Sequence, residues 1–161
     1  MNKIETFLEW AANNGWEIQQ RRDGNINLAK KIFQRYPKIP NEFIEFLRIT
    51  NICITPDEKS WFLCLNEYNG AADLAFSWNE IEKMSLVEGD NRYNEPIITF
   101  WNTHLPIALS VRNGYAYFAI DVGKDYGSIV YGYEPEFEEP EKVASSFYEF
   151  LDMIITNGLE F

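Results

Sequence analysis

Apolar residues recur at helical spacing through the first third of the chain and alternate with polar ones through much of the last third. Ile4, Phe7, Leu8 and Ala11 mark a first amphipathic helix, which Asn13-Asn14-Gly15 stops. Ile26, Ala29, Ile32, Phe33 and Tyr36 mark a second, ending ahead of Pro37 because the residue before a proline disfavours helical backbone. A third starts around Pro40, a residue suited to the first helical turn, and runs through Phe43, Ile44, Phe46 and Leu47. Trp61 to Leu65 is a mostly apolar run that predicts a buried strand, with a polar turn around Asn66–Gly70. Ser77-Trp78-Asn79-Glu80 matches a capping box and predicts a short helix through Ile81 and Met84. The polar, acidic residues Glu88 to Glu95 predict a loop.

The segment from Leu105 to Leu151 specifies more. Asn113-Gly114 is a strong hairpin signal, since both central positions of a type I′ turn need positive φ. A two-residue turn there pairs Arg112 with Tyr115, Val111 with Ala116, Leu109 with Phe118 and Ile107 with Ile120. That register places the apolar residues on a core face and sends Ser110, Arg112, Tyr115, Tyr117 and Asp121 to the other. If the next strand, Ser128–Glu134, pairs antiparallel, Val130 and Gly132 join the core face. Ile129, Tyr131 and Tyr133 then join Tyr117 opposite. The whole predicts an α+β fold: a curved, mainly antiparallel sheet with amphipathic helices packed on one face and tyrosines on the other. There is no internal repeat and no low-complexity linker, so residues 1–161 are expected to form a single domain.

Tyrosine offers contact area and a polar tip at low entropy cost, which favours it at interfaces. The alternative is that a long edge segment or the N-terminal chain covers these rings. Glu134-Pro-Glu-Phe-Glu-Glu-Pro-Glu141 follows at once, with five glutamates in eight residues. Pro135 and Pro140 prevent a regular ladder or helix, and Phe137 is placed to anchor the loop. This loop is either an ordinary solvated face or an acidic lip beside the tyrosines. Ser146-Phe147-Tyr148-Glu149 forms a second capping box before a helix through Phe150, Leu151, Ile154 and Ile155.

Charge adds a direction. The net charge is -11, with Lys and Arg concentrated before residue 49 and acidic residues after it. Such a field repels nucleic-acid phosphates and acidic membrane surfaces, so neither is an expected partner. It speeds encounter with a basic protein, or serves only solubility. No apolar run reaches the ~18 residues of a membrane span. The opening MNKIETFLEW lacks the apolar core of a signal peptide, which predicts a cytoplasmic location. Cys53 and Cys64 fit two reduced, structural thiols.

Recognisable catalytic chemistry is missing from the pattern. His104 is the only histidine, so any serine or cysteine triad would have to use it, and its place ahead of a strand favours a structural role. One histidine and two separated cysteines do not make a zinc site, and no glycine-rich phosphate loop is present. No metal or cofactor is expected. Aspartate and glutamate pairs are too plentiful to single out a general acid and base.

Ile39-Pro40-Asn41-Glu42-Phe43-Ile44-Glu45-Phe46-Leu47 resembles the proline-started helix near the front of SUKH superfamily domains of the Smi/Knr type. Leu105-Pro106-Ile107-Ala108 through Phe118-Ala119-Ile120-Asp121 resembles their central hairpin. Gly127 to Tyr131 and Ser145 to Leu151 resemble the strand and closing helix that follow. The resemblance implies a non-enzymatic immunity protein that binds and neutralises a cognate protein toxin, often a nuclease with a basic active-site surface. Tyr117, Tyr131 and Tyr133 are the candidate anchors, with Asp121, Asp125, Glu134, Glu136, Glu138 and Glu139 as steering charge. Fungal members regulate cell-wall synthesis, so a regulatory scaffold for an endogenous partner is the alternative. A small-molecule binder or hydrolase is a third reading.

Overall fold

Two spacings, helical early and alternating late, become one antiparallel sheet with helices folded against it. The computed structural model describes residues 2–70 and 76–161. The elements run α1 (Lys3–Asn13), β1 (Glu17–Gln20), α2 (Lys30–Arg35), α3 (Asn41–Ile49), β2 (Thr50–Ile54), β3 (Ser60–Phe62), α4 (Leu65–Asn69) and α5 (Glu80–Ser85). They continue with α6 (Asn91–Asn102), β4 (His104–Ser110), β5 (Ala116–Asp121), β6 (Ile129–Tyr133), β7 (Glu141–Ala144) and α7 (Phe147–Ile155). The seven strands form one open sheet in the order β1 to β7, each antiparallel to its neighbour in sequence. This is an α+β fold.

Helix α1 begins on a reciprocal cap. Asn2 accepts from the Glu5 amide at 2.8 Å and the Glu5 carboxylate accepts from the Asn2 amide at 3.1 Å. The helix buries the predicted stripe of Ile4, Phe7, Leu8 and Ala11. At α7, Ser146 accepts from the Glu149 amide at 3.1 Å, half of the predicted box. At α5 the helix starts later than predicted. Glu80 accepts from the Ser77 amide at 3.0 Å, while Asn79 takes the capping position.

Phe62 is the hub of the helical face. Its ring lies within 6 Å, centroid to centroid, of Phe7 from α1, Phe46 from α3, Phe150 from α7 and Phe161. Edge-to-face and offset contacts of this kind add to the burial of large aromatic area.

Several elements differ from expectation. The predicted strand Trp61–Leu65 ends at Phe62, and the predicted turn after it is the short helix α4, closed by Gly70 at φ 67°. The expected loop Glu88–Glu95 contains the start of α6. Asp90 caps it, accepting from the Tyr93 amide at 2.9 Å. Strands β1, β2 and β7 were not predicted. The second helix is only Lys30–Arg35, and Ile26 lies outside it.

The hairpin register is one residue away from the prediction. Ser110 pairs with Ala116, Leu109 with Tyr117 and Ala108 with Phe118, and a bulge at Ile107 then sets Leu105 opposite Ile120. The connection is a longer loop, Val111–Tyr115. Gly114 has φ 86°, but Asn113 does not share the positive φ that a type I′ turn needs. The cause is competition for the strand end. Val111 donates its amide to the Lys59 carbonyl at 2.8 Å, and the Arg112 guanidinium reaches Asp57 and the Phe161 carbonyl.

Candidate functional site

The register decides which tyrosines can meet a partner. Directly paired residues in an antiparallel sheet share a face. Phe118 pairs with Tyr131 and Ala116 with Tyr133, whereas Tyr117 pairs with Gly132. Tyr131 and Tyr133 therefore lie on the face that Phe118 shares with Phe150 of α7, and Tyr117 lies on the other.

Tyr117 is not an exposed anchor. It is fully buried, its ring is 4.8 Å from Trp101 of α6, and its hydroxyl donates to the Phe137 carbonyl. Burial raises its phenol well above the ordinary range, so it stays a neutral donor. The predicted tyrosine face is thus covered at this point by α6 and the acidic loop, not by an edge segment or the N-terminal chain. Phe137, 6% exposed, is the loop's anchor.

Tyr131 and Tyr133 remain available. Tyr133 is 55% exposed, Tyr131 is half-buried, and their rings stand 5.6 Å apart. Burial raises the Tyr131 phenol, and Glu160, Tyr133 and Glu141 add to the effect. Glu160 was not among the predicted residues. It is distant in sequence, and only the packing of Phe161 against Phe62 and Phe118 brings it here.

The acidic candidates divide into two groups. Glu138 turns inward, accepting from Trp101 Nε1 at 2.9 Å and Ser85 Oγ at 2.8 Å. Asp121 organises the turn after β5 by accepting from the Gly123 amide at 2.8 Å, with His104 Nε2 3.8 Å away. Asp125 is exposed and ion-paired to Lys142 at 3.0 Å, which lowers its carboxyl below the usual range. Glu138 and Asp121 are thus supports rather than free steering charges. Glu134, Glu136, Glu139, Glu141 and Glu160 are exposed, and among the described residues none forms a salt bridge.

Cations elsewhere on the chain are frequently engaged. Arg35 forks onto the buried Glu82 at 2.7 and 2.8 Å, and Arg112 is held by Asp57. His104 stacks on Phe100 at 4.0 Å with Nδ1 2.9 Å from the Phe100 carbonyl, a structural setting. Both cysteines are buried, and burial pushes each thiol up. Among the described residues no cluster of three metal-ligating side chains occurs, and no helix is long and apolar enough to cross a membrane.

Comparison with known protein families matches residues 29–153 to the SMI1 / KNR4 family (SUKH-1). The chain belongs to that family. The SUKH-1 match runs from just before α2 to within α7, so it takes in the hairpin, the acidic loop and the Tyr131–Tyr133 pair. It leaves out α1, β1 and Glu160. No curated protein matches this SUKH-1 chain closely enough to count as a relative.

Proposed function

We propose that residues 1–161 act as one SUKH domain, a non-enzymatic cytoplasmic immunity protein that binds and neutralises a cognate polymorphic toxin, a nuclease. Family membership supports the class of function. The observation that carries the docking surface is the set of five exposed glutamates on the β6–β7 loop and beside the Tyr131–Tyr133 pair, none of them in a salt bridge among the described residues. A nuclease holds phosphates in a basic channel, and uncompensated carboxylates complement it while repelling nucleic acid. Tyr131 and Tyr133 serve as anchors, and Glu134, Glu136 and Glu139 supply steering charge, with Asp125 at the margin. Tyr117, Asp121 and Glu138 hold the surface in place.

Coexpression with the toxin encoded beside this gene is the test. Rescue of growth and a stable complex by size-exclusion chromatography are expected. Absence of both overturns the reading.

A further inference from the structure

Beside the tyrosine pair lies a cavity of about 210 Å³ whose lining includes Phe118, Tyr131, Phe161, Glu141 and Glu160. Its floor is aromatic: Phe118 and Phe161 lie 5.4 Å apart at 21°, and Tyr131 is 4.9 Å from Phe118. Two carboxylates, Glu141 from β7 and Glu160 beyond α7, stand at its rim, exposed and without ionic partners among the described residues. Arg112 also borders it, but its guanidinium is spent on Asp57 and the Phe161 carbonyl. The rim is therefore net negative over an apolar floor.

We propose that this cavity receives one arginine side chain of the protein partner, with the guanidinium stacked on the aromatic floor and hydrogen-bonded to Glu141 and Glu160. The inference rests on the docking surface proposed above and names the side chain it reads. Arginine suits it better than lysine, because a planar guanidinium stacks on rings and forks onto carboxylates, whereas an ammonium is a compact, strongly hydrated point charge. Both acidic residues contribute to the raised Tyr131 phenol, which puts their negative potential over that ring. A phosphate or a carboxylate ligand would meet net repulsion there, because the Arg112 guanidinium is already engaged. A neutral apolar group would leave two carboxylates desolvated and unpaired in a closed interface, which is unfavourable.

The test is an NMR titration of the isotope-labelled protein with the capped tripeptide acetyl-Gly-Arg-Gly-amide, with citrulline and lysine counterparts as controls. The arginine peptide should give weak, saturable shifts centred on Tyr131, Glu141 and Phe161. Glu141→Gln and Glu160→Gln should each weaken binding about tenfold, the loss expected for one charged hydrogen bond. Both residues are exposed, so the variants should keep the native spectrum elsewhere. The pocket is overturned by shifts spread evenly over the acidic surface, by equal binding of the citrulline peptide, or by Glu160→Gln with no effect. Equal binding of the lysine peptide overturns the guanidinium assignment. Peptide binding with neither rescue nor a complex in the coexpression test overturns the immunity reading and leaves the pocket standing.

Discussion

Trp101 Nε1 donates to the Glu138 carboxylate at 2.9 Å, tying α6 to a loop whose neighbouring glutamates face solvent. The same oxygen accepts from Ser85 of α5 at 2.8 Å, so one inward glutamate fixes the loop to two helices. Glu138→Ala leaves the buried Trp101 donor unpaired and should cost about 1–3 kcal/mol in urea denaturation. Glu138→Gln keeps an acceptor and should cost less. Hydrogen exchange in residues 134–139 should quicken in the alanine variant alone.

Gly132 is set by contact, not by backbone angle. A Cβ there would clash with the buried ring of Tyr117. Gly132→Ala should destabilise by about 1–3 kcal/mol through overpacking. Tyr117→Leu in the same chain should cancel part of that loss, which a double-mutant cycle reads as coupling.

Burial raises the Glu67 carboxyl above its ordinary value. A raised folded-state value means that the neutral form is the one the fold prefers. The contribution is complete below the unfolded carboxylate pKa and is lost as pH rises through the raised one. Glu67→Gln should therefore leave stability unchanged below about pH 4 and raise it at neutral pH. Denaturant midpoints for both proteins across that range check it, and a flat difference would be the contrary result.

In the proposed toxin complex, the proposed steering charges and anchors should separate kinetically. Reversing Glu136 and Glu139 to lysine should slow association about tenfold or more at low salt and flatten its ionic-strength dependence. Tyr133→Ala should act mainly on dissociation, at a cost of about 2 kcal/mol if the ring is a hot spot. None of the three residues is buried, so thermal midpoints should hardly move. Surface plasmon resonance at two salt concentrations distinguishes the two effects.

What the chain reveals by pattern is uneven, for physical reasons. α1, α3 and α7 announce themselves because each buries a full apolar stripe with helical spacing. α6 hides because only Ile97 and Trp101, one turn apart, face inward, and Pro96 lies inside it. β1 hides because its burial is slight, with Ile18 its sole apolar side chain. The hairpin was legible but its register was not. The amide of Val111 and the side chain of Arg112 are claimed by Lys59, Asp57 and Phe161, residues that a local turn rule does not see. The same limit applies to the proposed docking surface. Tyr131 and Tyr133 are readable as an alternating pair, while the burial of Tyr117 depends on Trp101 and the presence of Glu160 depends on where Phe161 packs.

The strand order has a consequence for how the protein is made. Each strand of the sheet finds its partner in the strand synthesised just before it, so the sheet can extend one hairpin at a time as the chain emerges. The exception is the helical layer. Lys3 of α1 meets Asp152 of α7 across 149 residues at 2.6 Å, so the packing of α1 against α7 must wait until nearly everything else exists. A nascent chain stalled before α7 would hold a paired sheet with Phe43, Phe46 and Phe62 still lacking the cover of Phe147 and Phe150, a surface suited to chaperone capture.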